Sequence, residues 1–110
     1  MSMQDSIQVW IDRFQSKVDS DEALRKELMP LKKTFNMDLG TEHYSMRLEE
    51  GGIRGFAPVL ADGADVTIRT TPASLQALMD GTLRPMKAYI TKKISVEGKI
   101  QDLLFLKKFF

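Results

Sequence analysis

DVTIRTTPASLQALMDGTLRPMKAYITKKISVEG, residues Asp65 to Gly98, carries the signals of a strand, two short helices and a second strand in one compact stretch. Val66 and Ile68 alternate with Asp65, Thr67 and Arg69, the period-two pattern of a strand with one buried and one wet face. Thr71 then offers a hydroxyl as helix cap. Pro72 suits the first helical position, where its missing N–H would be unpaired anyway, and Gly81 is placed for the left-handed turn that ends a helix. These brackets predict a helix over Pro72–Asp80 with Leu75, Leu78 and Met79 on one stripe. Pro85 reopens the chain as a second helix whose Met86, Tyr89 and Ile90 repeat that spacing, and Ile94, Val96 and Gly98 alternate as the next strand. The stretch reads as two helices leaning over one sheet.

Within it, the run LxxLMDGTLxPxxAYxxxxIxVEG, from Leu75 to Gly98, resembles the most recognisable part of the sterol carrier protein 2 family, small lipid-binding domains in which a Gly follows one helix and a Pro opens the next. The resemblance extends more loosely back to Thr34 and forward through the last helix. Arg84 stands where an Asn commonly precedes the Pro, and Lys92 where members often carry a Gly. The resemblance implies an α+β domain: a mostly antiparallel five-stranded sheet of order 3-2-1-4-5, covered on one face by about five helices that enclose an apolar lipid tunnel. It also implies a C-terminal helix that helps to close that tunnel.

The rest of the chain fits such a frame. Ile7, Trp10, Ile11, Phe14 and Val18 form a full amphipathic stripe, with Asp5 or Ser6 as the expected cap. Ser20 offers the cap of a second helix, which buries Leu24, Leu28 and Leu31. From Thr34 the period changes to two: Phe35, Met37 and Leu39 face one way against Thr34, Asn36 and Asp38, and after Gly40 the alternation resumes with Tyr44, Met46 and Leu48 against Ser45, Arg47 and Glu49. Gly51-Gly52 reads as a two-residue hairpin turn into a third strand, Ile53 to Ala57, ended by Pro58. Asp62-Gly63 reads locally as another hairpin, which would set the fourth strand beside the third; the resemblance instead carries it across to the first.

A chain of 110 residues predicts a single domain, residues 1–110. With 43% hydrophobic and 28% charged residues the composition is globular, and no apolar run reaches the length of a membrane span. The sequence has no cysteine, which removes disulfides, thiol nucleophiles and cysteine metal sites together. It opens without a basic-then-apolar leader and ends in Lys107-Lys108-Phe109-Phe110 rather than a peroxisomal tripeptide, so a cytoplasmic setting is expected. The net charge of +1 is uneven: Arg84, Lys87, Lys92, Lys93, Lys99, Lys107 and Lys108 stand against Glu97 and Asp102 in the last third. Such a patch solubilises helix ends or faces an anionic membrane surface in transient contact.

Catalytic chemistry finds little support. His43 is the single histidine, beside Glu42 at an expected strand start, with no nucleophile elbow. Glu49-Glu50 and Asp62/Asp65 are carboxylate pairs by proximity at turns, and no Gly-rich loop joins a strand to a helix as a phosphate site would require. The expectation is a binding protein and not an enzyme, with no catalytic residue, metal, cofactor or nucleic-acid partner. Its partner is a lipid, either carried by this protein or presented with an apolar face to partner enzymes, as in quinone biosynthesis; a protein partner or a homodimer fits the second reading. Met29, Met37, Met46, Met79 and Met86 fall on expected inward faces, and Met suits a wall that must accept varied shapes. The expected ligand-binding wall is Phe56, Leu75, Leu78, Met79, Met86, Ile90, Leu103, Leu104 and Leu106.

Overall fold

The computed structural model describes residues 2–99 and 101. α1 (Gln4–Ser20) and α2 (Glu22–Leu28) lead into β1 (Lys33–Asp38), β2 (His43–Glu49) and β3 (Gly52–Ala57); β4 (Val66–Arg69), α3 (Pro72–Asp80), α4 (Pro85–Ile90) and β5 (Ser95–Glu97) follow. The sheet order is β3-β2-β1-β4-β5. It is mixed: β1–β2, β2–β3 and β4–β5 are antiparallel, whereas β1 and β4 run parallel. The crossover from β3 to β4 therefore overrides the local hairpin signal at Asp62-Gly63. Four helices lie among the described residues; the expected C-terminal helix, with Leu103, Leu104 and Leu106, lies outside them.

Register explains the core. Phe35 stands opposite Met46 on one side and Val66 on the other, while Met37 stands between Tyr44 and Ile68, and Ile68 opposite Val96. These cross-strand rows place large apolar side chains on one face, the arrangement that stabilises a sheet. Ile7, Ile11, Phe14 and Val18 of α1, Leu28 of α2 and Leu75 of α3 cover that face and complete one buried cluster. The edge strand β3 is tied to α1 by Gln15, whose carboxamide oxygen accepts from Ile53 N–H at 3.4 Å. Gly52 makes room for it: a Cβ there would stand 2.6 Å from the same oxygen.

The structure corrects several boundaries. α1 starts at Gln4, ahead of Asp5 and Ser6, with Met3 as a cap that has no side-chain bond. Asp21, not Ser20, caps α2 by accepting from Leu24 N–H at 3.1 Å. The β2–β3 turn is Glu50-Gly51, with φ of 54° and 73°, and Gly52 already pairs with Glu49. Asn36, expected on the wet face, is buried because the crossover loop lies against it: its amide donates to Ala61 O at 2.9 Å and accepts from Ala61 N–H at 2.8 Å. Met29 is turned outward at the end of α2 and is 54% exposed.

Candidate functional site

α3 follows its sequence signals closely. Thr71 accepts from Ser74 N–H at 3.1 Å, Pro72 occupies the first turn, and Gly81 closes the helix at φ 80°. The helix sets Leu75 into the sheet cluster, with Met79 packed against the same cluster and Leu78 on its other flank. Leu78 joins Leu83, Ala88 and Ile94 in a second, smaller cluster, and Val96 packs against both.

The expected wall is thus distributed. Phe56 stacks on Tyr44, ring centroids 5.5 Å apart, and like Leu75 and Met79 belongs with the sheet cluster. Leu78 belongs to the smaller one. Met86 is half-buried and in neither; Ile90 is 73% exposed, which corrects its expected inward placement. The reason is the six-residue length of α4 and the small residues it packs with. Pro85 and Ala88 are its buried side, and Tyr89 and Ile90 turn outward.

An open groove of about 230 Å³ runs between α1 and α3, lined by Asp5, Ser6, Val9, Trp10, Arg13, Gln76 and Met79. Its floor is apolar through Trp10, which stacks on Phe14 with centroids 5.7 Å apart. Of the described members of the expected wall, Met79 alone reaches it. At that volume it falls below the ~300–1,000 Å³ of ordinary small-molecule sites. The sequence stripe marked Trp10 as inward-facing but gave no sign that α3 would stand beside α1, since a helix–helix groove is a tertiary property.

Glu42 is the polar residue that sequence reasoning missed. Its Oε1 accepts from Met3 N–H at 2.7 Å and from the Tyr44 hydroxyl, closing the start of α1 onto the β1–β2 turn. The Tyr44 bond and the Met3 N–H hold its carboxyl below the usual value, while burial and the Glu42 charge push Tyr44 up. At the same end of the sheet, polar side chains of four strands stand in a row. His43 Nε2 lies 3.3 Å from Asp38, Arg69 lies 3.7 Å from Asp38, and Arg69 also pairs with Glu97. His43 is therefore a member of a surface polar row, and among the described residues no three carboxylate, histidine or cysteine groups converge to hold a metal ion.

A mixed five-stranded sheet with helices over one face and a β4 that crosses to β1 defines a sterol-carrier-like α+β domain. The chain belongs to the SCP-2 sterol transfer family, whose model matches residues 11–110. Among solved structures it is similar to palmitated SCP2L2 from Aedes aegypti, at 18% identity and TM-score 0.71, covering 98% of this chain and 93% of that one. It is also similar to a UbiJ-SCP2 ubiquinone synthesis protein, at 15% identity and TM-score 0.67, covering 97% and 91%. A third likeness, to the sec-alkylsulfatase Pisa1 from Pseudomonas sp. (17% identity, TM-score 0.64), covers 76% of this chain but spans only 13% of the sulfatase. No curated protein matches the sequence. Among the described residues no helix is long and apolar enough to cross a membrane.

Proposed function

We propose that this protein binds a lipid non-covalently, with a fatty acyl, sterol or isoprenoid chain held between sheet and helices, and passes it on without covalent chemistry. The observation that carries this reading is the family match over residues 11–110. A relative of the same fold is described as palmitated. The mechanism is burial: each acyl methylene leaving water contributes about 0.8 kcal/mol, so roughly twelve of them offer about 10 kcal/mol, several of which offset the cost of association. Micromolar affinity follows. Phe56, Leu75, Leu78, Met79 and Met86, with Leu103, Leu104 and Leu106 of the C-terminal segment, are the proposed wall. Titration with a fluorescent fatty acyl probe tests it. Saturable low-micromolar binding that Met79→Glu weakens, with the melting transition kept, supports the carrier; no saturable binding to folded wild type sinks it.

A second reading, an accessory protein that presents a polyprenyl lipid to partner enzymes, is favoured by the likeness to the UbiJ-SCP2 ubiquinone synthesis protein. Native mass spectrometry of the purified chain separates the two: co-purified lipid alone points to a carrier, a lipid together with a stable protein partner to an accessory.

A further inference from the structure

The outward face of α1 carries its own complement. Asp5, Val9 and Arg13 follow one another at i, i+4 and i+8, so they share one side of the helix. All three are exposed, Val9 by 50%, and all three line the groove between α1 and α3 whose floor is Trp10. A carboxylate and a guanidinium thus stand on either side of an apolar centre, each about 6 Å from it along the axis. Among the described residues neither Asp5 nor Arg13 enters an ion pair. Arg47, Arg54 and Arg69, by contrast, each meet a carboxylate of their own chain, and the neighbouring Asp12 accepts from the Gln8 carboxamide at 3.0 Å.

We infer that this face binds a second copy of the same chain, the two α1 helices lying antiparallel across a twofold axis at Val9. A twofold contact brings one patch against itself, so a patch must be self-complementary to use it. The equal spacing of Asp5 and Arg13 about Val9 meets that condition: rotation sets Asp5 level with the second copy's Arg13, Arg13 level with its Asp5, and Val9 against Val9. A parallel arrangement would oppose carboxylate to carboxylate and guanidinium to guanidinium, so charge also fixes the direction. The apolar floor at Trp10 lies beside this row and is covered in the same step. A contact one helix face wide belongs to the small, transient class of interfaces, so association at high micromolar concentration is expected. The inference goes beyond lipid binding and does not need it, because Asp5, Val9 and Arg13 lie outside the proposed wall.

Sedimentation velocity of the full chain without added lipid, from about 10 μM to about 1 mM at low salt, tests the assignment. A concentration-dependent dimer that weakens as salt rises is expected. Val9→Lys, which sets two ammonium groups on the axis, should weaken it roughly tenfold or more. Asp5→Arg and Arg13→Glu should each do the same alone, since each places like charges together at both ends of the contact. An equimolar mixture of those two variants should associate again, because the cations of the first then face the carboxylates of the second. Asp5→Asn and Arg13→Gln remove a charge without reversing it and should each weaken association about threefold, which keeps the test open even where a reversed charge disturbs the start of the helix. A chain that stays monomeric throughout, a dimer indifferent to Val9→Lys or to both neutral substitutions, or folded reversed-charge variants that remain apart on mixing overturns the inference.

Discussion

α3 and α4 are written in the same local grammar and end up on opposite terms with the core. Each opens with Pro in its first turn, and each carries apolar residues at i, i+3 and i+4. In α3 that stripe faces in, with Leu75 and Leu78 buried; in α4 the corresponding Tyr89 and Ile90 face out, and Pro85 and Ala88 face in. The difference lies in length and in what lies behind. Nine residues give α3 more than two turns, enough for a wide apolar face to settle on the sheet, whereas α4 makes under two turns and packs through its smallest residues. Spacing fixes which residues share a side. It does not fix which side is inside.

The most direct way to break this contrast is truncation of one residue from each stripe. Leu75→Ala removes a side chain that is 1% exposed and is expected to cost about 2–5 kcal/mol in a denaturant melt, while Ile90→Ala should stay within about 0.5 kcal/mol of wild type. Comparable costs at the two sites would abolish the distinction. The inner side of α4 is probed next by adding volume: Ala88, with 0% exposure, has no room for Leu, and Ala88→Leu is expected to destabilise by about 1–3 kcal/mol. The helix ends sharpen the comparison further. α3 ends on Gly81 at φ 80°, α4 on Lys92 at φ 61°, so Lys92→Gly should raise stability by about 1 kcal/mol and Gly81→Ala lower it by a similar amount. At the other end, Thr71 caps α3 while Arg84 gives α4 no side-chain cap; Arg84→Asn is expected to add roughly 0.5–1 kcal/mol, read as a rise in melting temperature.

The smallest effect is one of pH. Because the folded state holds the Glu42 carboxyl below its ordinary value of 4.5, its contribution is present above that value and is lost as pH falls through the lower folded one. Tyr44 has the opposite sign: raised above 10.0 in the folded state, it contributes below that value, and the contribution fades as pH rises beyond it. Melting curves of Glu42→Gln should accordingly flatten below about pH 4.5 relative to wild type. An unchanged acid limb would remove the Glu42 clasp from any role in stability.

Much of this was legible in sequence, and unevenly. The bounds of α3 and the inner row Tyr44, Met46, Leu48 followed from capping chemistry and period alone, since both are set by neighbours in sequence. The pairing of β4 with β1 came from the resemblance in Leu75–Gly98, against the local turn signal at Asp62-Gly63, while its parallel direction is seen only in the structure. What escaped depends on distant partners. Glu42 meets Met3 across 39 positions, and Asn36 meets Ala61 across 25, so neither the early start of α1 nor a buried amide on the supposed wet face leaves a mark on nearby residues. For the proposed wall, Phe56, Leu75 and Met79 converge on one cluster, whereas the outward turn of Ile90 rests on the closeness of Ala88 to its neighbours, which no spacing rule encodes.

The return of the chain between Ala57 and Val66 also carries an expectation about the order of folding. β1, β2 and β3 pair with sequence neighbours across short turns, while Phe35 must find Val66 far along the chain, and closing so long a loop precedes the gain from the contacts it brings. The Asn36 amide grips Ala61 just short of β4 and so reduces the span still to be closed. On topology alone, the three-stranded meander is the expected template for β4, both short helices and β5. The earlier half of the sheet is then the host and the later half, α4 included, the guest, an order that pulse-labelling hydrogen exchange during refolding would test.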